Sequence, residues 1–299
     1  MVYTVTLNPA LDYLLKIDEI KEDVQTAVKS KLCFGGKGIN VSVILSRLGI
    51  DNTALGFTGG FSGNKINEML TKQSIQTDFI KIEGDTRINV KITGATNLSV
   101  NAEGPAVTLR NEQELLKKLS KIKSEDYLVL SGSIPKSMGD SAYERIIENL
   151  PDKSIKIVAD TSGAPLKSIL KYKPFLIKPN NFELQEISEN QLKSTRDITA
   201  AAKALQKYGA QNVLVSMGKK GMILIDKTGD INSEPVIDGR VKNTTGCGDS
   251  AVAGFIAGYI KKQDYRFALK LASICANATA FSDTLASSEQ IKALAKQVL

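Results

Sequence analysis

The sequence predicts an α/β fold in which helices cover both faces of a central, mainly parallel β-sheet. Short β-type runs alternate with helical patterns along most of the 299 residues, as in chains of βαβ units. Two glycine-rich turns, at 35–38 and 246–248, each lead into a helical pattern. Ligands of such folds bind where the carboxyl ends of strands meet helix N-termini. We therefore expect the functional site at that edge of the sheet.

Hydrophobic spacing assigns the elements in chain order. Extended runs predict strands at 3–7, 13–17, 53–57, 79–82, 87–92, 127–131, 156–160, 175–177 and 212–216. Helical spacing predicts helices at 39–48, 65–72, 143–150, 165–170 and 199–208, and from 250 to the end. The regions at about 11–34 and 79–108 break this rhythm. We expect them to form a small, separate antiparallel sheet, inserted twice into one domain that spans 1–299.

Composition limits the classes of protein to consider. Apolar residues make up 42% and charged residues 24%, which is typical of a globular protein and excludes a disordered chain. No apolar run approaches the length of a membrane span, and the N-terminus lacks the features of a signal peptide. Three cysteines without metal-type spacing favour a reducing cytoplasm. The absence of histidine excludes a Ser-His-Asp triad, a histidine-ligated metal and a histidine base.

The charge balance favours anionic partners. Lys and Arg number 39 against 32 Asp and Glu, a net charge of +7. Nucleic acid, acidic lipid and phosphorylated small molecules all fit such a surplus. The basic residues are scattered, and the densest run, at 117–123, lies in a helical pattern with two glutamates. We expect that run to be a solvated helix face.

The strongest local signal is the segment 243–250, Asn-Thr-Thr-Gly-Cys-Gly-Asp-Ser, which precedes a helix rich in small residues. Gly246 and Gly248 let backbone N–H groups converge at the helix N-terminus and form an anion site. Asp249 is placed to accept a proton from a hydroxyl that attacks a phosphoryl group. The alternative is that Asp249 is an N-cap and the glycines form a tight turn. The segment also matches G-x-G-x-x-A, but no further strand follows, so a dehydrogenase is not expected.

Other segments carry weaker signals. In 35–40, Lys37 supplies a point charge before a helix, and Asn40 can donate to and accept from hydroxyls. Asp12 follows the first strand and suits a polyol ligand, although Asp is common in turns. The 180–183 segment has Asn and Glu three residues apart, which fits either a hard cation held partly through water or a capping box. The turn at 216–221 is placed to lie against phosphates or is a plain hairpin turn.

Taken in this order, the segments resemble the signatures of the ribokinase-like, or phosphofructokinase-B, family of carbohydrate kinases over nearly the whole chain. Segment 35–40 resembles the N-terminal signature, 244–249 the C-terminal signature, and 180–183 the magnesium-associated motif. The resemblance implies a ribokinase-like three-layer fold with a small β-sheet lid. It also implies ATP-dependent phosphorylation of a sugar hydroxyl, with Mg²⁺ as cofactor.

The resemblance implies a role for each candidate residue. Asp249 would be the base, and the N–H groups of Gly246, Cys247 and Gly248 the anion hole. The substrate-side residues would be Asp12, Gly36, Lys37, Asn40, Arg87, Ser133 and Asp249. The ATP-side residues would be Lys178, Ser216, Met217, Gly218, Lys219, Lys220, Gly221, Gly248 and Asp249. Asn180 and Glu183 would hold Mg²⁺, directly or through water. The expected partners are a sugar phosphate and ATP, without nucleic acid or membrane, and a homodimer through the lid stays open.

Within the family, segments 7–12, 55–61 and 84–90 resemble the subgroup that converts fructose 1-phosphate to fructose 1,6-bisphosphate, with tagatose-6-phosphate kinases as close relatives. Arg87 falls where these subgroups hold the substrate's phosphate, and we expect Lys37 beside it. Gln25-Thr26 replaces the usual Asn-Arg pair, which leaves the two sugars open. Cys247 replaces the usual Ala. At a helix N-terminus its thiol would have a lowered pKa and be reactive, unless it is only a small, inert replacement.

Overall fold

The computed structural model of the protein describes residues 1–20 and 24–298. The strands in this part of the chain are β1 (Val2–Thr6), β2 (Ala10–Ile17), β3 (Lys29–Gly35), β4 (Asn52–Gly59), β5 (Ile80–Ile82), β6 (Ile88–Gly94), β7 (Leu98–Val100), β8 (Tyr127–Ser131), β9 (Lys156–Asp160), β10 (Leu176–Ile177), β11 (Asn212–Ser216), β12 (Met222–Ile225) and β13 (Ile231–Glu234). The α-helices are α1 (Lys37–Arg47), α2 (Gly60–Thr71), α3 (Leu109–Leu119), α4 (Ala142–Glu148), α5 (Gly163–Ile169), α6 (Asn181–Ser188), α7 (Thr195–Lys207), α8 (Cys247–Lys262), α9 (Tyr265–Ala280) and α10 (Ser288–Val298).

Nine strands form the main sheet, in the order β13-β12-β11-β10-β9-β8-β1-β4-β5. All neighbours from β5 to β11 are parallel, and β12 and β13 continue the sheet antiparallel. Central strands such as β8 are buried along their whole length. This explains why they are nearly continuous apolar runs, since helices cover both of their faces.

Two apolar cores lie on opposite faces of the main sheet. One packs helices α3 to α7 against the sheet, through side chains such as Leu115, Tyr143 and Leu205. The other packs α1, α8, α9 and α10, with Phe255 and Ile274 fully buried. The predicted α/β fold with three layers and a mainly parallel sheet is thus confirmed.

The second sheet has four strands in the order β3-β2-β6-β7. We call it the lid sheet. It differs from the expected antiparallel sheet, because β2 and β6 pair in parallel. The reason is topological: β2 follows β1 and β6 follows β5, which run in the same direction in the main sheet. The lid's second segment also begins later than residue 79, since Ile80–Ile82 pairs with β4 of the main sheet and both isoleucines are buried.

Two helix starts differ from the predictions for a shared reason. Helix α6 was not predicted, and α7 begins four residues before its predicted start at 199. Asn180 and Ser194 form capping boxes that begin these helices. Hydrophobic periodicity does not detect a helix start that consists of polar residues. The basic run at 117–123 lies on and just after α3, and three of its four lysines are exposed, as predicted. Among the described residues, no helix is long and apolar enough to cross a membrane.

Candidate active site

A cleft of about 1550 Å³ lies between the carboxyl edge of the main sheet and the lid sheet. Nearly every site residue expected from the sequence lines it. They are Asp12, Gly36, Lys37, Asn40, Arg87, Ser133, Lys178, Asn180, Glu183, Ser216, Met217, Gly218, Lys219, Gly221, Gly246, Cys247, Gly248 and Asp249. Lys220 is the exception, and it lies exposed on the same turn as Lys219. The cleft thus brings together segments that are more than 200 residues apart in the chain.

The N-terminus of α8 projects into this cleft, and no side chain of the described residues caps it. Gly246 is the N-cap residue and has a φ of +82°, a left-handed conformation that favours glycine. Since the first N–H groups of a helix lack intrahelical acceptors, that of Gly248 is available to an anion. The N–H of Cys247 makes only a long hydrogen bond, of 3.4 Å, to Thr244 O. A Cβ at Gly248 would lie 3.1 Å from Lys178 Nζ, so glycine lets this ammonium approach the same point.

Asp249 lies in the first turn of α8 and is 5% exposed. Asn40 Nδ2 donates a hydrogen bond of 2.7 Å to its Oδ2. The alternative interpretation of Asp249 as an N-cap is wrong, because Gly246 holds that position. Burial, and next the negative charge of Asp160, raise the pKa of Asp249 to about 6. A carboxylate with this pKa is ionised at neutral pH and basic enough to accept a proton from a hydroxyl in a transition state.

Asp160 is a central residue of the site that the sequence analysis missed. It ends β9 and is 1% exposed. Lys37 Nζ donates to its Oδ1 at 3.0 Å, and Lys178 Nζ lies 3.4 Å from the same oxygen. Burial opposes ionisation of Asp160, but Lys178 and Lys37 outweigh it and hold its pKa below the usual range. Burial likewise opposes the charged form of Lys37, yet Asp160 keeps the pKa of Lys37 above its usual value.

Asn180 and Glu183 form the capping box of α6. Asn180 Oδ1 accepts from the N–H groups of Phe182 and Glu183 at 2.8 and 3.0 Å, and Glu183 Oε2 accepts from Asn180 N at 2.8 Å. This box leaves Glu183 Oε1 facing Lys37 Nζ at 4.0 Å. The sequence alternative of a capping box is therefore confirmed, and it leaves one oxygen of Glu183 for a ligand.

Asp160 and Glu183 also fit a hydrated divalent cation. Asp160 Oδ2 is buried and has no hydrogen-bond partner within 1–20 and 24–298. Oxygen ligands of this kind suit Mg²⁺, which keeps several waters and needs few carboxylates. Among the described residues no cluster of three or more metal-ligating side chains occurs, so water and phosphate oxygens would have to complete the shell.

A second group of residues forms an apolar slot next to the turn at 216–221. That turn joins the antiparallel strands β11 and β12, and Gly218 takes a φ of +56°. A Cβ at Gly221 would lie 2.1 Å from Glu234 O, so glycine allows the backbone after β13 to come close. The slot residues are Val236, Val241, Ala276 and Ala280. The sequence analysis missed them, because small apolar residues in loops and helices carry no motif.

Residues of the lid sheet also line the cleft. Asp12 on β2 accepts from Asn89 Nδ2 at 2.9 Å, and its other oxygen contacts Lys91 Nζ. A Cβ at residue 35 would lie 2.8 Å from the Asp12 carboxylate, which explains the glycine on β3. Neither Asn89 nor Lys91 was predicted, since each is an ordinary polar residue on a strand.

Arg87 lies just before β6 and is held by three backbone carbonyls. Its Nη2, Nη1 and Nε donate to the oxygens of Asn8, Ala102 and Pro9 at 2.9, 3.3 and 3.4 Å. Ser133 Oγ accepts from Asn8 Nδ2 at 3.3 Å on the same side of the cleft. Lys37, which the sequence analysis expected beside Arg87, lines the same cleft, and its ammonium is paired with Asp160.

We call the group Lys37, Asn40, Asp160, Lys178, Glu183 and Asp249 the catalytic end of the cleft, and the group Asp12, Arg87, Asn89 and Lys91 the lid end. At the catalytic end three carboxylates face two ammonium groups, a net charge of −1. At the lid end two cations face one carboxylate, a net charge of +1. The catalytic end thus suits a bound cation, and the lid end suits an anion.

The surroundings of Cys247 bear on the expected reactivity of its thiol. Its thiol lies 3.8 Å from the carbonyl oxygen of Asn243. Burial, and next the charge of Asp249, raise the pKa of Cys247 to about 11, well above that of a free thiol. Burial and the neighbouring carboxylate thus both favour the alternative of a small, inert replacement over a reactive thiolate.

Comparisons with known proteins agree with this geometry. The chain matches the profile of the pfkB family carbohydrate kinases over residues 5–291. It is 38% identical to 1-phosphofructokinase from Borreliella burgdorferi, covering 100% of this chain and 97% of that protein. It is 36% identical to D-tagatose-1-phosphate kinase from Bacillus licheniformis, covering 100% and 98%.

Solved structures show the same fold. Phosphofructokinase-2 from Escherichia coli, in complex with substrates and products, superposes with a TM-score of 0.94 at 24% identity and 99% coverage of both chains. Ribokinase from Thermotoga maritima superposes with a TM-score of 0.81 at 19% identity and the same coverage. At these identities the two structures establish the fold. The chain belongs to the pfkB family of carbohydrate kinases and has the ribokinase-like fold. It is a phosphotransferase that uses ATP with Mg²⁺ and transfers phosphate to an alcohol group.

Proposed function

We propose that the protein phosphorylates fructose 1-phosphate at its C6 hydroxyl and so produces fructose 1,6-bisphosphate. The single observation that carries the chemistry is buried Asp249, held by Asn40 at 2.7 Å beside the uncapped N-terminus of α8. The choice of sugar is supported by full-length similarity to a 1-phosphofructokinase. The positive lid end supports a substrate that already carries a phosphate.

In the proposed reaction, Asp249 accepts the proton of the C6 hydroxyl while that oxygen attacks the γ-phosphorus of ATP. The bond from the γ-phosphorus to the bridging oxygen breaks, and ADP leaves. The N–H groups of Cys247 and Gly248 hold negative charge on the transferred group. Lys178 lies beside them and adds a positive charge. Asp12 and Asn40 orient the sugar hydroxyls.

We place the adenine in the apolar slot of Val236, Val241, Ala276 and Ala280, and the phosphates along the turn at 216–221. Mg²⁺, when bound with ATP, neutralises phosphate charge. Asp160, through its unpartnered Oδ2, and Glu183, through Oε1, are the residues that would hold it, directly or through water. Asn180 would keep Glu183 in position through the capping box. Closure of the lid sheet would exclude water that competes with the sugar for the γ-phosphoryl group.

A coupled ADP-release assay over a panel of sugars tests this proposal. The panel contains fructose 1-phosphate, tagatose 1-phosphate, tagatose 6-phosphate, fructose 6-phosphate and free fructose. We expect the highest kcat/KM with fructose 1-phosphate. Absence of ADP release with either 1-phosphate would refute the assignment of the sugar.

Tagatose 1-phosphate is the second candidate, because one of the full-length relatives is named for it. It replaces tagatose 6-phosphate, the alternative considered from the sequence. Fructose and tagatose differ only in configuration at C4, so both 1-phosphates present the same phosphate and the same C6 hydroxyl. A higher kcat/KM for tagatose 1-phosphate would change the sugar and leave the mechanism intact.

The outer face of the lid sheet supports a homodimer. Tyr13, Leu32, Leu98 and Val100 are 37–54% exposed there, and Tyr13 pairs with Leu32 across β2 and β3. A flat apolar patch of this kind marks an interaction surface, and two copies of one patch can meet around a twofold axis. Leu32→Glu should therefore produce a monomer in sedimentation analysis. Leu109→Glu, at an 80% exposed leucine of α3, serves as control. A monomeric wild type would refute the dimer.

We place the protein in the cytoplasm. Cys33, Cys247 and Cys275 are all free thiols, which fits a reducing compartment. Exclusion of the tagged protein from the cytoplasmic fraction would contradict this.

A further inference from the structure

Lys91 is a cation of the lid end to which no sequence motif pointed. Its ammonium contacts Asp12, and its side chain is 21% exposed. In the pairing of β2 with β6, Lys91 lies opposite Leu14 and Asn89 lies opposite Asp12. Since side chains alternate along a strand, Lys91, Asn89 and Asp12 share the face of the lid that lines the cleft.

Lys91 has donors to spare and is held by fewer contacts than Arg87. An ammonium group carries three donors, and within 1–20 and 24–298 the acceptor of Lys91 is Asp12 alone. Arg87 uses three of its five N–H donors on three backbone carbonyls. Each side chain thus retains two N–H groups for a ligand, but Arg87 is fixed in place by the main chain, whereas Lys91 is held through its contact with Asp12.

The charges of the two ends decide which ligand this is. At the catalytic end, Lys37 and Lys178 are already paired with Asp160. A sugar phosphate bound at that end would be repelled by the carboxylates of Asp160, Asp249 and Glu183. At the lid end, Lys91 and Arg87 exceed Asp12 by one positive charge. A phosphate already present on the sugar is therefore better placed at the lid end.

We propose that Lys91 is a specificity-determining residue that binds the substrate's existing phosphate and shares its ammonium between that phosphate and Asp12. This proposal rests on the proposed function as a sugar-phosphate kinase. Asp12 faces the sugar, so a phosphate bound nearby would meet its negative charge. Lys91 shields the two anions from each other. Removal of Lys91 therefore removes its attraction for the phosphate and leaves the phosphate repelled by the carboxylate of Asp12.

The test compares Lys91→Met with Lys81→Met, a control that removes the same charge from an exposed lysine of β5. For Lys91→Met we expect KM for fructose 1-phosphate to rise about 10–150-fold, as for a lost charge-assisted hydrogen bond, with kcat changed little. The kcat/KM for free fructose should fall much less, because fructose carries no phosphate for Lys91 to bind. Lys91→Arg should keep KM within a few fold of the wild type.

A double variant tests the shielding itself. Asp12→Asn in the Lys91→Met background should lower KM for fructose 1-phosphate, because the exposed carboxylate is gone. In the wild-type background the same change should raise KM. If Lys91→Met does not fold, Lys91→Gln replaces it, provided that its melting temperature equals that of the wild type. Equal losses for fructose and fructose 1-phosphate, or no loss for either, would overturn the proposal and leave Lys91 with a purely structural role.

Calorimetric titration with fructose 1-phosphate in the absence of ATP separates this inference from the proposed function. Weaker binding to Lys91→Met than to Lys81→Met supports the phosphate contact, whichever sugar the enzyme turns over. Equal binding to the two variants overturns it. Lack of binding to the wild type refutes fructose 1-phosphate as substrate, and with it the proposed role of Lys91 in binding the phosphate of that substrate.

Discussion

The two ends of the cleft hold their charges in different ways. At the catalytic end, Asp160, Lys178 and Asp249 are only 1, 4 and 5% exposed, and they are fixed by strand ends and a helix N-terminus. At the lid end, Arg87 and Lys91 are partly exposed and lie on a sheet whose outer face is open. Burial and neighbouring charges shift the pKa of Asp160 and of Asp249, and such shifts are common at sites of proton transfer. The partly exposed charges of the lid end stay accessible to solvent, which suits capture and release of an anion.

The largest expected effect is loss of the base at the catalytic end. Asp249→Asn should lower kcat by about 10²–10⁴-fold, the usual contribution of a general base, because Asn cannot accept the hydroxyl proton. ATP binding should persist, since the N–H groups of α8 remain. Asp283→Asn, at a carboxylate 87% exposed, is the matched control. Near-normal turnover by a folded Asp249→Asn variant would remove Asp249 from the chemistry.

Arg87→Ala probes the lid end in the same assay. We expect KM for fructose 1-phosphate to rise about 10–150-fold, with the affinity for ATP nearly unchanged. Because Arg87 also ties Asn8 and Ala102 to the start of β6, part of the loss will come from positioning. An effect confined to ATP would contradict the division of the cleft into two ends.

The catalytic end should also give the enzyme a characteristic dependence on pH. The raised pKa of Asp249, about 6, means that its active, ionised form is present above pH 6 and is lost as the pH falls. The kcat/KM for fructose 1-phosphate should therefore decrease about tenfold per pH unit below 6. The substrate's phosphate titrates in the same range. The Asp249→Asn profile, which retains only that titration, is the control, and identical profiles would count against Asp249 as the base.

The smallest expected effect concerns Cys247. Cys247→Ala should change kcat and KM by less than about twofold, since a buried thiol with a pKa of about 11 is not a nucleophile at neutral pH. Alkylation followed by mass spectrometry should modify Cys247 no faster than Cys33. Rapid, ATP-protected alkylation of Cys247 would show that the helix dipole prevails over burial and Asp249.

The sequence predicted the main sheet and most of the site for a local reason. Gly246, Gly248 and Asp249 act within one helix turn, and the pattern of residues 35–40 does the same at α1. The lid was predicted as a separate sheet, but its parallel β2–β6 pairing was not, because pairing depends on where two distant segments leave the main sheet. Asp160 was missed because an Asp at the end of a strand has no distinctive neighbours in sequence.

Local sequence patterns predicted the elements of the main fold, the two glycine-rich helix starts and the residue that we propose as the base, since periodicity, turns and helix N-termini depend on neighbouring residues. Only the tertiary structure decided the charges around that base. It joined Lys37 to Asp160 across 123 positions and Lys91 to Asp12 across 79. It also reversed the expected pKa of Cys247. The physical reason is that burial and charge pairing depend on distances in space, which residues far apart in the chain acquire only when the sheets and helices pack.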